Sequence, residues 1–332
     1  MAAPRVRVIV VNHNGGAQLA RCLAALAAQT LAGFEAVVVD NASTDGSMAA
    51  LGGLDARFSA LSLPANLGFA AANNLAAAGA QAPWLATLNP DAFAETDWLA
   101  RLLAAAEAQP EAAMFGSTQL DAADPARFDG TGDAYFFAGF PWRGNHGRAV
   151  GPLPDLAESF APCAAAALWR RDAFERAGGF DERFFCYCED VDLGFRLRLM
   201  GERCLQVGRA RVAHVGGGAS GGRGAFSLYH GTRNRVWTMV KDLPGPLLAL
   251  ALPAHLVGLA GVCARMAARR EPRAHWRAAI SGLVDALAGL GPAWRARRRI
   301  QGARTVPWWR VARALCWSPW RIALRLPDLR TP

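Results

Sequence analysis

Three acids stand within four positions in "FFCYCEDVDLGFRLR", residues 184 to 198, where Glu189, Asp190 and Asp192 follow directly on a run of aromatics and thiols. Neighbouring carboxylates repel one another and partial burial raises their pKa, so such a cluster suits the handling of a proton, a metal or a cation. The alternative is a plain helix start, because acids favour the first turn. A fourth acid, Asp91 in "LNPDA", ends an apolar strand-like run. A carboxylate there can hold magnesium or manganese against a diphosphate, since hard cations take oxygen ligands. It can equally close an Asx-turn or cap a helix.

These residues need elements to position them. The first part of the chain alternates β-rich runs, "RVRVIVV", "EAVVVD", "RFSALSL" and "WLATL", with helical stretches near Gly16–Gln29, Thr44–Leu51, Phe69–Ala80 and Thr96–Ala108. That order predicts an α/β fold, a parallel sheet covered on both faces with ligands at the carboxyl ends of its strands. The positions just after the strands are compact and polar: Asn12, His13 and Asn14, then Asp40 and Asn41, then Asn66 to Phe69, then Asn89, Pro90 and Asp91. No GxGxxG follows the first strand and no GxxxxGK[ST] occurs, which argues against a dinucleotide-dependent oxidoreductase and a P-loop NTPase. A nucleotide site built from side chains remains. Residues from about 121 to 241 are less regular, with a strand at "CAAAALW", a helix from Arg171, a strand at "RCLQV" and the glycine run Gly216 to Gly224.

Charge divides the chain. Of 36 basic and 27 acidic residues, 20 and 23 precede position 241, while 16 and 4 lie from there onward, so the net charge of +9 belongs to the tail. The domain boundary is placed at "KDLPGP", giving 1–243 (halves 1–118 and 119–243) and 244–332. The start, "MAAPRVRVIVVNHN", lacks the apolar core and cleavage site of a secretory signal and places the chain in the cytosol. Seven cysteines without a CxxC pair suit reduced, packed thiols.

Taken in order, "VIVVNHNG", "VVVDNASTDGS", "NLGFAAANN", "LNPDA", "AGGFDERFFCYCEDVDLGFRLRLMG" and "RVAHVGGGAS" resemble the family 2 glycosyltransferases, especially the rhamnosyltransferase-like branch, over about residues 5 to 245. The resemblance implies a GT-A fold that binds a nucleotide-diphospho-sugar with a divalent cation, Mn2+ or Mg2+, and transfers the sugar by one inverting displacement, with dTDP-L-rhamnose the leading donor. By motif, Asp40 would bond the nucleotide base, with Asn12, Asn14 and Asn41 in the same pocket. Asn66, Gly68, Asn73 and Asn74 would flank nucleotide and sugar. Asp91 matches the last acid of the DxD metal motif and His214 a histidine that completes the metal site. Asp190 matches the catalytic base of the "ED" motif, with Glu189 beside it. The DxD position reads Asn89-Pro90-Asp91, so one acid is an amide and the cation is expected to be held weakly. Arg233 or Arg235 would pair with phosphate oxygens, and the glycine run would close over the donor as a lid. "FDGTGDAYFFAGFPWRGN", Phe128 to Asn145, resembles the variable acceptor-side segment and is assigned no catalytic residue.

The tail sets the expected partners. Residues 244 to 264 contain no Asp, Glu, Lys or Arg, close to the roughly 20 apolar residues a spanning helix needs. Pro253 and His255 interrupt them, which favours a helix lying in or dipping into the membrane over a spanning one. Trp276, Ile280, Leu283, Val284, Leu287 and Trp294 then fall on one helical stripe ahead of Arg297 to Arg299, a pattern suited to an interface with anionic headgroups. The expected setting is the cytoplasmic face of the plasma membrane, with a lipid-linked or polysaccharide acceptor. A non-catalytic nucleotide-sugar-binding subunit and a basic nucleic-acid-binding protein are the alternatives, the latter leaving the apolar segment unexplained.

Overall fold

The computed structural model describes residues 3–216 and 224–332. The glycine run expected to form a lid lies almost wholly outside them. The strands are β1 Val6–Asn12, β2 Phe34–Asp40, β3 Phe58–Ser62, β4 Trp84–Leu88, β5 Ala92–Ala94, β6 Ala112–Asp121, β7 Phe128–Gly130, β8 Asp133–Phe136, β9 Phe140–Arg143, β10 Leu156–Glu158, β11 Ala166–Arg170 and β12 Arg203–His214. The α-helices are α1 Gly16–Ala27, α2 Gly68–Ala77, α3 Trp98–Ala108, α4 Arg171–Arg176, α5 Glu189–Leu199, α6 Ala225–Asp242, α7 Gly245–Ala268, α8 Arg273–Ala288, α9 Leu290–Gly302, α10 Trp308–Ala314 and α11 Pro319–Ala323. The stretch expected as a helix over Thr44–Leu51 is a single short 3-10 turn, Ser47–Leu51.

The main sheet has the order β10-β12-β6-β11-β4-β1-β2-β3, with β5 on β12 and β7 on β6. Strands β4, β1, β2 and β3 are parallel, as the alternating pattern predicts. The second part departs from it: β11 runs antiparallel between β4 and β6, so the sheet is mixed. Successive residues of a strand point to opposite faces, and β1 shows why its run is continuously apolar. Val6, Val8 and Val10 enter one core with α1 and α3, while Ile9 and Val11 enter a second core with α2, α4 and α5. A strand covered on both faces has no solvent side to be polar on.

A third apolar cluster crosses the composition change near residue 243. Tyr135, Phe160, Val191 and Phe195 pack with Leu247, Leu248, Ala251, Ala286, Ala293, Val311 and Leu315. Backbone bridges also join Phe136 to Cys316 and Glu158 to Arg330. The change in charge is therefore not a boundary in packing. The stripe expected from Trp276 to Trp294 is divided between α8 and α9 by Gly289.

Candidate active site

The carboxyl ends of β1 and β2 are adjacent, with Asn12 opposite Asp40. Asn12 is fully buried and acts as a strut: its amide donates to Ser43 and Ser47 hydroxyls at 3.0 and 2.8 Å, and its Oδ1 accepts the Gly15 N–H. Asp40 accepts the Ser43 N–H at 2.8 Å, and Asn14, at φ 54°, accepts the Thr44 N–H. Asn41 and Asn66 are joined side chain to side chain at 2.9 Å, and they cap the turn into α2 by accepting the Leu67 and Gly68 N–H groups. Together these bonds stiffen the floor and rim of a cavity of about 250 Å³ lined by Asn14, Asn41, Asn66, Gly68, Asp91 and His214, among others.

Asn12 and Asp40, expected in the nucleotide pocket, support this cavity without lining it, and three more residues expected to bind the donor are used elsewhere. Asn73 is buried and donates to the Phe69 carbonyl one turn back. Asn74 clamps Phe180 through both backbone groups at 2.8 and 2.9 Å. Of α2, Gly68 and Phe69 line the cleft, and Asn73 and Asn74 lie about a turn farther along the helix. Arg233, expected on a phosphate, donates to the Arg183 and Phe184 carbonyls at 3.1 and 3.0 Å. Arg235 is stacked over Phe140 instead of opening into the cleft.

Asp91 and His214 come together although 123 positions separate them. A register shift between Val207 and Arg211 lets β12 run on far enough for His214 to pair with Ala92 of β5. His214 Nε2 then lies 3.2 Å from Asp91 Oδ1, and its Nδ1 lies 2.7 Å from Asp129 Oδ2. Burial opposes a charge on His214, but the hydrogen bonds to Asp129 and Asp91 raise its pKa above the ordinary histidine value. Asp129 is also buried, yet Arg143, His146 and His214 hold its carboxyl well below the usual range. A carboxylate, an imidazole and a second carboxylate orienting that imidazole fit a divalent cation. Asn89, at the amide position of the motif, lies 3.4 Å from His214 Nε2.

A second cavity of about 290 Å³, walled by Glu189, Asp190 and Asp133, adjoins the first and shares Phe69, Asn89, Arg143, Cys186 and Tyr187 with it. Asp190 Oδ2 accepts the Ala164 N–H at 3.0 Å and Oδ1 the Val191 N–H at 2.8 Å. Burial raises its pKa, against these two bonds and Arg143. Functional atoms of Asp133, Cys163 and Asp190 all lie within 4.8 Å of one another. Burial first and the Asp190 charge second push the Asp133 carboxyl well up, while burial pushes the Cys163 thiol up to about 12. A protonated thiol is a poor metal ligand, so this trio suits two carboxylates sharing a proton rather than a cation. Glu189 is buried with a raised pKa, again by burial first and Asp190 second. Asp192 faces away and pairs with Arg196 and Lys241.

The approach to Asp190 is a strained loop. Phe185, Tyr187 and Cys188, none of them glycine, have φ of 63°, 71° and 66°. Such conformations cost on the order of 1–3 kcal/mol each and persist only where the surroundings impose them. The fully buried Asn234 of α6 imposes them, its amide donating to the carbonyls of Phe184, Cys186 and Tyr187 at 3.0, 2.9 and 2.7 Å. From the other side, Ala70 N–H reaches the Phe185 carbonyl, and Gly68, at φ 83°, leaves room where a Cβ would stand 2.5 Å from the Phe185 ring. Sequence reading missed Asn234, Asp129, Asp133 and Arg143. The last three sit in the segment assigned no catalytic residue, where only "FDGTGD", acids spaced by glycines, hints at them.

The sequence model of "Glycosyl transferase family 2" matches residues 7–178. An N-acetylglucosaminyl-diphospho-decaprenol L-rhamnosyltransferase of Mycobacterium tuberculosis is 31% identical over 230 residues, 62% of this chain and 75% of that protein. The O-antigen biosynthesis protein RfbC of Myxococcus xanthus is 32% identical over 224 residues, 64% of this chain but 17% of that much longer protein. Among solved structures, S. aureus TarS 1-349 in complex with UDP-GlcNAc superposes with a TM-score of 0.58 at 15% identity, over 90% of this chain and 91% of that one. The mannosyltransferase PcManGT from Pyrobaculum calidifontis, in complex with GDP-Man and Mn2+, gives 0.54 at 20% identity, over 95% and 88%. The structural neighbours establish the GT-A fold, and the family match spans just over half of the chain, from β1 through α4. The chain belongs to glycosyl transferase family 2 and is a glycosyltransferase.

Proposed function

We propose that this glycosyltransferase moves L-rhamnose from dTDP-L-rhamnose to a lipid-linked or other envelope glycan by a single inverting displacement. The observation that carries the mechanism is two adjoining cavities that share lining residues, one with a cation-type pair, Asp91 and His214, the other with a buried carboxylate pair, Asp190 and Asp133. The sugar and acceptor rest on the Mycobacterium and Myxococcus relatives, whose names concern a diphospho-decaprenol-linked acceptor and O-antigen biosynthesis.

The acceptor hydroxyl gives its proton to Asp190 as its oxygen bonds to the sugar's C1. The bond from C1 to the diphosphate oxygen breaks on the opposite face, and the nucleoside diphosphate leaves with the electron pair. Base assistance of this kind contributes about 10² to 10⁴ in rate. Asp133 acts beside Asp190, so that the pair holds the transferred proton until product leaves. Asp91 and His214 would hold a divalent cation, whose chemistry is Lewis-acid neutralisation of the leaving diphosphate. Asp129 keeps the His214 ring oriented, with Nε2 turned to the cleft.

A donor panel with lipid-linked acceptor, with and without Mn2+, tests this reading. Nucleotide release is expected with dTDP-L-rhamnose, falling on chelation and falling further in Asp91→Asn. Release from another donor alone overturns the sugar assignment, and no release from any donor overturns the enzyme mechanism in favour of a binding subunit.

The same reading places the tail at the cytoplasmic membrane surface. Among the described residues, α7 is the one helix long and apolar enough to cross a bilayer, by length and composition. One of its faces is used within the chain: Leu247, Leu248, Ala251 and His255 are buried, and His255 stacks on Phe140 and bonds the Ala138 carbonyl. The other face leaves Leu250, Leu252, Leu256 and Val257 exposed, the last by 75%. A helix docked on protein along one side and apolar on the other favours lying in the interface over spanning it. Leu256→Glu with Val257→Glu is expected to move most of the protein from the membrane pellet to the supernatant while turnover of a water-soluble acceptor stays unchanged. Unaltered sedimentation would remove α7 as the anchor.

A further inference from the structure

A cavity of about 720 Å³ lies outside the cleft of the proposed reaction, between α9 and the turn Asp181–Arg183 that follows α4. Six cations line it, Arg176, Arg183, Arg196, Lys241, Arg295 and Arg299, against two acids, Asp181 and Glu182. The floor is internally balanced. Buried Lys241 bonds Asp181 and Asp192, and buried Arg196 pairs with Asp192 and donates to the Ala177 carbonyl at 2.6 Å. On the rim, Arg183 is paired with Asp181, and Arg176 with Asp172 and Glu202.

Arg295 and Arg299 are different. They stand one turn apart on α9, the spacing at which like charges on a helix destabilise it, and neither makes a side-chain hydrogen bond or ion pair among the described residues. Both turn into a roomy cavity whose other cations are already committed. Two guanidinium forks a turn apart present paired N–H donors of the geometry that phosphate oxygens accept. The next residue back, Trp294, is exposed by 46%, and Ile280, Val284 and Leu287 of the preceding helix α8 are exposed as well.

We propose that this cavity is a second ligand site, one for a phosphate-bearing anion held by Arg295 and Arg299, separate from the donor cleft and independent of its chemistry. The anion comes either from a phospholipid headgroup at the surface that α8 and Trp294 meet, or from a soluble polyphosphate.

Inorganic pyrophosphate titrated calorimetrically in EDTA, which disables a cation-dependent donor cleft, tests the site. Wild-type protein and Asp91→Asn are expected to bind it alike, and Arg295→Glu with Arg299→Glu to bind it at least tenfold more weakly. Equal binding by wild type and the double variant, or binding by neither, overturns the proposal. An unchanged melting temperature and unchanged turnover of a water-soluble acceptor show that the double variant is folded. Flotation on phosphatidylglycerol and phosphatidylcholine vesicles separates the sources. A headgroup ligand predicts that phosphatidylglycerol binding falls in the double variant and that pyrophosphate competes with it. A soluble ligand predicts loss of pyrophosphate binding with flotation unchanged.

Discussion

Asp190→Asn should lower kcat by about 10² to 10⁴, the contribution of a general base, while the dissociation constant for the nucleotide-sugar stays within a few-fold of wild type. The split is expected because Asp190 lines the cavity beyond the donor part of the cleft, and Asn keeps its shape and the oxygen that accepts the Ala164 N–H. Full turnover in that variant would remove Asp190 as the base. The pH profile carries a second signature. Asp190 works ionised and burial raises its pKa, so turnover is lost as pH falls through that raised value. Burial and the Asp190 charge push the Asp133 carboxyl up, so Asp133 is the partner that carries the proton while Asp190 ionises; Asp133→Ala removes that proton donor, which makes Asp190 harder to ionise and moves the acid limb to higher pH. Glu189, Asp129, Arg143, Cys163, Cys186, Cys188 and Cys204 also bear on this pair, and all are retained in the variant. An acid limb that stays in place would show that the two carboxylates do not share a proton.

Asn234→Ala should lower kcat about tenfold to a hundredfold, although Asn234 touches neither donor nor acceptor. It is a positioning residue: the carbonyls of Phe184, Cys186 and Tyr187 lose their donor, and a buried polar group left unpaired costs about 1–3 kcal/mol. Every 1.4 kcal/mol that the loop withdraws from the reacting geometry is about tenfold in rate. Without the amide, three left-handed non-glycine residues have less to hold them, and the loop that delivers Asp190 relaxes. Asn234→Asp keeps the shape but not the donors and should be equally impaired, whereas a merely space-filling role predicts that Asp rescues. In both variants kcat is expected to fall while the KM for donor changes little. Loss of donor affinity with kcat preserved would refute the positioning role.

The parallel part of the sheet and the polar residues at its strand ends were readable from the chain. Strand and helix periodicity marked β1, β2, β3, β4, α1 and α3, and in a parallel α/β sheet the residues just after the strands must sit at one edge. Asn14, Asn41, Asn66, Asn89 and Asp91 were found by that rule alone. It does not reach along α2, because a motif read as a string gives Asn73 and Asn74 the same standing as Gly68, and the rise of the helix carries them along its axis beyond Gly68 and Phe69, which line the cleft. It failed at Arg233, whose charge suggested a phosphate while the loop before α5 had already claimed its donors.

What the order of residues determined by itself was the family and the parallel strands with polar residues at their carboxyl ends, because each is a local pattern repeated at fixed spacing; the proposed base, Asp190, comes from such a pattern too. The tertiary structure decided the rest. It brought Asp133 beside Asp190, Asp129 behind His214 and Asn234 beneath the strained loop, pairings across 57, 85 and 47 positions. It also joined the basic tail to the catalytic core through one apolar cluster. Such pairings depend on β11 reversing direction, on β12 continuing past a register shift, and on α6 folding back across the loop. No periodicity records these events, since they are set by which apolar faces bury one another.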